Sequence, residues 1–481
     1  MRAAAALRST GGAKAKRLIP EHRQTGRRKP SELPVPELCG RTVPRDNVHV
    51  ASPETQRDPD IHRTIDAVWR IESAKIIASL TRITRDVGVS EELAQDALVA
   101  ALEQWPASGI PDKPGAWLMA IAKNRAIDRY RRHKLLERKH EEIGRELKTQ
   151  QDRAMAEFEL AGDDDIGDDL LRLVFVSCHP VLSTEARVAL TLRLLGGLTT
   201  QEISRAFLTP EPTIAQRIVR AKRTLSEARV PFEVPRGLDR AARLSSVLEV
   251  VYLIFNEGYS ATTGDDWLRP ALCDDALRLG RILAELAPQE SEVHGLVALM
   301  EIQASRSKAR VDATGEPILL LDQDRSQWDQ LLIHRGLDAL AHAENLGGAE
   351  GPYALQAAIA ACHARARSGA ETDWAQIVTL YEALGRLNPS PIIELNRAVA
   401  VAMASGPAAG LALVDELLSE PSLKSYHLLP SVRGDFLFKL GRFGEARAEF
   451  ERAASLAQNA RERKLLRDRA LGCASSASQP T

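Results

Sequence analysis

The fold is indicated most clearly by residues 198–228, which read LTTQEISRAFLTPEPTIAQRIVRAKRTLSEA. Thr199 and Glu202 have the S/T-x-x-E spacing of a capping box, in which side chains and backbone amides satisfy each other at a helix start. A short proline-containing turn follows at 208–212, and a second helix is predicted from about 213 to 228. Two helices joined by so short a turn predict a helix-turn-helix.

The second of these helices combines an apolar stripe with a basic surface. Ile214, Ile218 and Leu225 recur at helical spacing and predict the buried side. Glutamine and arginine can reach base edges in the major groove, while other Lys and Arg side chains bind phosphates. The polar residues on the remaining faces are Gln216, Arg217, Arg220, Lys222 and Arg223. The alternative interpretation is a helical hairpin whose basic helix only faces solvent.

A further basic helix is predicted at 117–132, with the sequence WLMAIAKNRAIDRYRR. Trp117, Ile121 and Ile127 form its apolar stripe. The cations crowded on the rest of its surface are Lys123, Arg125, Arg129, Arg131, Arg132 and Lys134. Because charges this dense repel one another, a phosphate backbone is the expected partner, and binding should depend strongly on salt. Trp117 and Tyr130 are suited to stacking on an unpaired base; the alternative places Trp117 in the core.

The rest of the sequence also predicts helices, so the chain is expected to be all-α. Ser90 is the expected N-cap of a helix that ends near Trp105, and a loop is expected from Pro106 to Pro114. The predicted units are a disordered basic arm (1–60), a helical domain (61–135), a charged linker (136–168), the helix-turn-helix domain (169–235), a helical extension (236–350) and helical repeats (351–470). The alternative for residues 1–60 is that translation starts further downstream and the first residues were assigned to the protein by mistake.

Composition and charge narrow the function classes. The chain has 481 residues and a formal net charge of -1, so any surface for nucleic acid must be local. Its five cysteines form no CxxC pair, which favours a reducing cytoplasm over a disulfide framework. No apolar run of about 20 residues predicts a membrane span. The basic cluster at 27–29 lacks the apolar run of a targeting peptide, so a cytoplasmic protein without membrane contact is expected.

The two basic helices, taken together and in this order, resemble the DNA-binding segments of extracytoplasmic-function RNA polymerase sigma factors of the sigma-70 family. The stretch 117–132 resembles the W-L-x-x-I-A-x-N-x-x-I-D-x-x-R-R pattern of sigma regions 2.3–2.4, and 92–105 resembles region 2.2. Residues 170–230 resemble region 4, with its helix-turn-helix at 198–222. The resemblance covers about 65–230. Only a linker separates the two segments, so region 3 is absent, as is typical of this class.

This resemblance implies a sigma factor, which binds core RNA polymerase and directs transcription initiation with no catalysis, cofactor or metal of its own. The region 2.2-like helix would dock on the β′ clamp through Gln95 and Asp96, and region 4 would bind the β flap. The minus-ten element of promoter DNA would be bound by Trp117, Lys123, Asn124, Arg125, Asp128, Arg131 and Arg132. The minus-35 element would be read by Thr213, Gln216, Arg217, Arg220, Lys222 and Arg223.

The C-terminal half predicts helical repeats similar to tetratricopeptide (TPR) repeats within about 353–460. Ala446 and Phe450 have the A-x3-F spacing of a TPR, and Gly434 suits the close approach of its two helices. Positions that lie about one repeat apart are Trp374, Ala408 and Phe443. Stacked repeats leave a concave surface for a peptide or protein partner. The alternative is a helical bundle unrelated to TPRs.

The stretch Asn256–Ser260 and the surrounding 240–340 segment resemble the extension of a sigma subgroup that carries a C-terminal TPR-like domain. Because the C-terminal part is larger than both DNA-binding segments together, we expect it to regulate them in cis or to bind a signalling partner.

Other function classes have weaker support. A DNA-binding regulator that never joins polymerase is the main alternative, but such a protein has no need for the 117–132 helix. An enzyme within 240–350 would need a polar cluster that the spacing does not offer. Cys178 beside His179 lies in an apolar run and is expected in the core, and the aspartate pairs at 265–266 and 274–275 lack EF-hand spacing and are expected in caps and loops.

Overall fold

The computed structural model describes residues 59–137, 166–207, 209–260, 268–313 and 316–477. Almost all of the predicted arm (1–60) and linker (136–168), and the pair at 265–266, lie outside these residues. Within the described residues there are eighteen α-helices and no strand, apart from one isolated bridge between Val311 and Pro317, which confirms the all-α prediction. No helix in this part is long and apolar enough to cross a membrane.

The first three helices form a module around Trp105 and Leu118, both almost completely buried. They are α1 (Pro59–Thr84), α2 (Val87–Ser108) and α3 (Pro114–Glu137). The predicted N-cap at Ser90 is wrong, because Asp86 caps α2 by accepting a hydrogen bond from the Val89 amide at 3.0 Å. The helix also continues past the predicted end at Trp105, through Pro106, until the Gly109 amide closes it on the Trp105 carbonyl at 2.9 Å.

The next four helices contain the helix-turn-helix and pack directly on the first module. They are α4 (Ile166–Ser177), α5 (Thr184–Leu194), α6 (Thr200–Phe207) and α7 (Glu211–Glu227). Helix α4 lies along α1. At this contact Arg82 forms an ion pair of 3.4 Å with Asp169, whose side chain is buried. The two modules therefore share one core instead of standing apart on a linker.

The same core continues into the extension, which includes four long helices. They are α8 (Gly237–Tyr259), α9 (Pro270–Leu286), α10 (Ser291–Ala304) and α11 (Gln330–Asn345). Buried residues of α8, α9 and α10 belong to the hydrophobic cluster that begins in α1. Helix α8 packs against α4 and α5, so the extension is built into the helix-turn-helix module.

The helices that follow pack on one another and contain two further apolar clusters. They are α12 (Pro352–Arg365), α13 (Trp374–Leu387), α14 (Pro391–Ser405), α15 (Pro407–Glu416), α16 (Leu428–Lys439), α17 (Phe443–Leu456) and α18 (Ala460–Ala477). Ala446 and Phe450 are buried, and a Cβ on Gly434 would lie 3.0 Å from the Phe450 ring. This is the close packing that motivated the TPR-like assignment, which stays a prediction.

Gly258 shows how tightly the extension is packed. A Cβ at this position would lie 2.6 Å from the backbone nitrogen of Cys273, because α8 and α9 touch here. Backbone atoms cannot move away as a flexible side chain can, so Gly258→Ala should destabilise the chain by about 2 to 3 kcal/mol. Thermal unfolding should show a drop of several degrees. The matched control is Gly444→Ala in α17, where a Cβ would meet nothing within 4 Å; an equal loss there would contradict the packing argument.

Candidate nucleic-acid interface

The helix-turn-helix begins with the predicted capping box. The Thr199 amide donates to Glu202 Oε2 at 2.8 Å, and the Glu202 amide donates to Thr199 Oγ1 at 3.1 Å. Burial raises the pKa of Glu202, but the hydrogen bonds from Thr199 and the Arg70 guanidinium outweigh it and lower the pKa overall. The charged carboxylate therefore both caps α6 and joins it to Arg70 of α1.

Helix α7 buries the predicted stripe and exposes a continuous polar face. Ile214, Ile218 and Leu225 are at most 5% exposed. The exposed residues predicted for DNA contact are Thr213, Gln216, Arg220 and Arg223. Val219 was not among the predicted contacts, yet it is 64% exposed within this face. Its helical spacing from Gln216 and Arg223 was the available signal, and an exposed apolar side chain there is suited to a thymine methyl group.

The other two predicted contacts of α7 point elsewhere. The Lys222 ammonium forms an ion pair with Glu91 of α2. Arg217 is half-buried and lines a cavity between α7 and the C-terminal helices. Helix α7 thus divides its cations between an outward face and two intramolecular contacts.

Some of the residues of α3 that were predicted to bind DNA are exposed, and others are half-buried. Arg131 and Arg132 are exposed near its end, and Asn124 and Asp128 are exposed as well. Lys123 is half-buried. The outer end of α3 therefore offers two adjacent cations to an anionic partner.

Trp117 is half-buried at the start of α3 and contacts Trp105 edge to face, with ring centroids 5.4 Å apart. It packs against the core of its module, which supports the core interpretation of this residue in the free chain.

Acidic residues of α2 pair with the basic residues of α3. Asp96 lies 3.4 Å from Arg125, and Glu92 lies 3.3 Å from Arg129. Gln95 is half-buried and donates to Glu91 Oε1 at 2.5 Å. Of the two residues predicted to contact polymerase, Asp96 is exposed, whereas Gln95 is already engaged within the chain.

A group of contacts between the two modules, called the clasp below, centres on Glu91. This carboxylate is 3% exposed; it pairs with Arg193 of α5 at 2.6 Å and with Lys222 of α7. The Ser226 hydroxyl donates to Asp86 Oδ2 at 3.2 Å, and the Arg70–Glu202 pair completes the clasp. A buried carboxylate is stable only when it is paired, so the closed arrangement depends on both modules.

The extension holds the helix-turn-helix module from its other side. Arg278 of α9 donates to the Gly196 carbonyl at 3.0 Å, just before α6. Arg187 of α5 pairs with Glu249 of α8 at 3.1 Å, and Arg269 donates to the Ala206 carbonyl in α6. The position of α6 and α7 is therefore set by the extension as well as by the clasp.

The cysteine and histidine considered for catalysis, Cys178 and His179, make contacts that stabilise the fold. Cys178 is buried, with its Sγ 3.3 Å from Thr191 Oγ1, and burial raises the pKa of its thiol. The His179 ring accepts a hydrogen bond from the Val181 amide at 3.1 Å. A buried thiol with a raised pKa is a poor nucleophile, in agreement with the core interpretation. The prediction of cap or loop positions for Asp274 and Asp275 is wrong, because both lie inside α9, where Asp275 is buried and pairs with Arg278 at 3.6 Å.

Three family models match the chain. Residues 72–135 match sigma-70 region 2, and residues 172–225 match sigma-70 region 4. Residues 243–344 match a family of unknown function, DUF6596. The first match contains most of α3, the second contains most of the helix-turn-helix, and the third contains most of the extension.

Curated relatives extend the similarity beyond these segments. The chain is 44% identical over 398 residues to the uncharacterized protein R00370 of Rhizobium meliloti (strain 1021), covering 81% of this chain and 91% of that protein. It is 30% identical over 155 residues to the ECF RNA polymerase sigma factor SigK of Mycobacterium ulcerans (strain Agy99), covering 31% of this chain and 78% of that protein. No solved structure matches this chain.

Proposed function

Because this chain belongs to the extracytoplasmic-function sigma factors of the sigma-70 family, which direct RNA polymerase in transcription initiation, we propose that the outward faces of α3 and α7 are its promoter contacts. The observation that carries this proposal is the exposed face of α7, where Gln216, Val219 and Arg220 stand opposite a fully buried stripe. Such a helix fits the major groove with its polar face toward base edges.

In this proposal α7 reads the minus-35 element, and its exposed contacts are Thr213, Gln216, Arg220 and Arg223. Helix α3 binds the minus-ten element, with Arg131 and Arg132 on phosphates and Asn124 and Asp128 beside them. The contacts with the minus-ten element that involve Arg125, Lys123 and Trp117 form only after α3 rearranges. Arg125 is now paired with Asp96, and Trp117 packs on the core. Arg217 and Lys222 likewise become available when α7 leaves its intramolecular partners.

Membership of the sigma-factor family is also the basis for proposing contacts with core polymerase. Asp96 and Gln95 of α2 would meet the β′ clamp, and region 4 would meet the β flap, in the cytoplasm. Glu91 lies one turn before Gln95 and is covered by α5 and α7. This part of α2 is therefore accessible to polymerase only after the clasp opens.

The distance between the promoter elements requires the same opening. The minus-35 and minus-ten elements are about 25 base pairs apart, or about 85 Å of duplex at about 3.4 Å per base pair. Modules joined by direct ion pairs cannot reach both elements at once. We therefore infer that the closed chain is a resting state, and that the C-terminal part regulates it by holding region 4 through Arg278, Arg187 and Arg269.

The test is transcription in vitro with the full chain, core polymerase and genomic DNA from the host, with the start sites sequenced. Start sites that share two upstream elements are expected. Arg220→Ala should relax the base preference at one position of the upstream element and weaken that promoter by about 1 to 3 kcal/mol, because a base contact is lost. Arg335→Ala, at an exposed position of α11, should change nothing. DNA binding without association with core polymerase would favour a regulator that acts without polymerase.

A further inference from the structure

A cavity of about 740 Å³ lies where region 4, the extension and the C-terminal helices meet. Its apolar walls include Ile203 of α6, Leu299 of α10 and Ile359 of α12. Arg306, just after α10, and His363, near the end of α12, supply polar groups to the same wall. A concave, mostly apolar space of this volume with a few convergent polar groups is typical of sites for small molecules.

Arg306 is a buried cation without a carboxylate partner among the described residues. Its side chain is 8% exposed; Nη2 donates to the Tyr259 hydroxyl at 2.6 Å, and Nε has no hydrogen-bond partner. Arg325 adds a second guanidinium nearby, which donates to the His363 carbonyl at 2.5 Å and to the Ala366 carbonyl at 2.7 Å. Arg306 and Arg325 thus place two positive charges close together, and the charge of Glu371 acts on Arg325.

His363 adds an unused pair of polar atoms at the same place. The residue is 2% exposed, and neither ring nitrogen has a hydrogen-bond partner. Burial, followed by the charges of Arg306 and Arg325, lowers the pKa of His363 to about 3. Buried polar atoms almost always have partners in folded proteins, so an imidazole with both nitrogens available for hydrogen bonds is suited to contact a polar group of a ligand.

Three of the four glutamates that line the cavity (the fourth is Glu185) form ion pairs with other residues. Glu249 pairs with Arg187 at 3.1 Å, Glu462 pairs with His427 at 3.1 Å, and Glu257 pairs with Arg269. Each of these three acids therefore has a partner other than Arg306. The cation of Arg306 lies beside His363 and next to the apolar walls of the cavity.

We propose that this cavity binds a small organic anion, with a carboxylate or phosphate group on Arg306 and His363 and an apolar body against Leu299 and Ile359. A guanidinium fork binds either group through two parallel hydrogen bonds. The volume of about 740 Å³ and the mostly apolar walls with a few polar groups favour a small molecule as the occupant.

The position of the cavity connects it with the proposed regulation. Ile203, Phe207 and Arg217 of the helix-turn-helix form one wall, so an occupant would touch region 4 directly. The connection with regulation rests on the proposed function, whereas binding needs only the closed arrangement of the helices that the structure shows. The test below uses neither polymerase nor DNA, so its failure can be told apart from a failure of the proposed function.

The experiment is thermal unfolding of the full chain at constant ionic strength with benzoate, phenyl phosphate or the uncharged benzyl alcohol. We expect a saturable rise in Tm of about 2 to 4 °C with one of the two anions, and no rise with benzyl alcohol or added chloride. A response to benzoate alone indicates a carboxylate ligand, and a response to phenyl phosphate alone indicates a phosphate ligand.

Three variants decide whether Arg306 is a binding residue or a structural one. Arg306→Met should abolish the response to anions and leave the Tm of the free chain equal or higher, because an uncompensated buried charge is removed. Arg306→Lys keeps the charge and should retain a response with at least tenfold weaker half-saturation. Arg335→Met, an exposed control in α11, should respond like the unaltered chain.

The proposal is overturned if neither anion raises Tm beyond chloride, or if Arg306→Met keeps the full response. A fall of several degrees in the Tm of free Arg306→Met, without any response of the unaltered chain to anions, would make Arg306 a structural residue. Binding of a peptide with an acidic C-terminus, measured by calorimetry, without binding of either small anion would replace the proposed ligand by a polypeptide.

Discussion

Replacing Glu91 by glutamine is expected to open the chain and to raise transcription from its promoters. The carboxylate is almost completely buried and holds Arg193 and Lys222 together. Removing one member of a fully buried ion pair costs about 3 to 5 kcal/mol; because both cations are about one-fifth exposed, about 2 to 3 kcal/mol is expected here. At about 1.4 kcal/mol for each tenfold change, the ratio of closed to open chain should fall about thirty- to hundredfold.

This change should be visible in three measurements on Glu91→Gln: a larger radius of gyration by small-angle X-ray scattering, tighter binding to core polymerase, and more transcript at limiting sigma factor. The neighbouring Glu92→Gln is the matched control, since Glu92 is exposed and pairs with Arg129 inside the same module. Weaker binding to core polymerase with an unchanged radius would show instead that Glu91 is a polymerase contact, and the closed state would then lose its main support.

The double variant Arg131→Ala and Arg132→Ala should nearly abolish transcription while leaving binding to core polymerase intact. Both side chains are exposed at the end of α3, so their loss should not affect folding. Each phosphate contact contributes about 0.7 to 0.9 to the slope of log K against log salt. Removing two contacts should reduce this slope by about 1.4 to 1.8 and reduce promoter binding at least tenfold at about 0.1 M salt.

Promoter binding by the polymerase holoenzyme, measured across a salt series, checks this expectation. Arg447→Ala with Arg452→Ala, two exposed positions of α17, removes the same charge far from α3 and should leave the slope unchanged. An unaltered slope in the α3 variant would mean that these arginines do not touch phosphate and that the minus-ten contact lies elsewhere on the module.

Local patterns in the sequence were sufficient for the helix-turn-helix and for the inner side of each basic helix. The capping box at Thr199 and Glu202 depends on residues three positions apart, and the stripe of Ile214, Ile218 and Leu225 depends on the helical period. The same reasoning failed at Ser90, because Asp86 competes for the same helix start and accepts the capping hydrogen bond.

Local sequence patterns could not predict which partner each basic side chain of α7 contacts. Arg217, Lys222 and Arg220 look alike in sequence, yet the first lines the cavity, the second pairs with Glu91, and the third faces outward. The partner of Lys222 lies on α2, in a different module, and no local period reports such a distant contact. Val219 was overlooked because it is apolar and follows Ile218 of the stripe, although its spacing from Gln216 and Arg223 places it on the exposed face.

Short-range periodicity and capping were enough to predict the all-α class and the positions of the two basic helices, and the motifs on these helices resemble sigma regions 2 and 4. Three features became visible only in the folded chain: the two modules close on Glu91, the extension shares their core, and Arg306 and His363 meet in a cavity. These features arise from side chains on separate helices that are brought together by burial of apolar surface, and that burial acts on the whole chain at once.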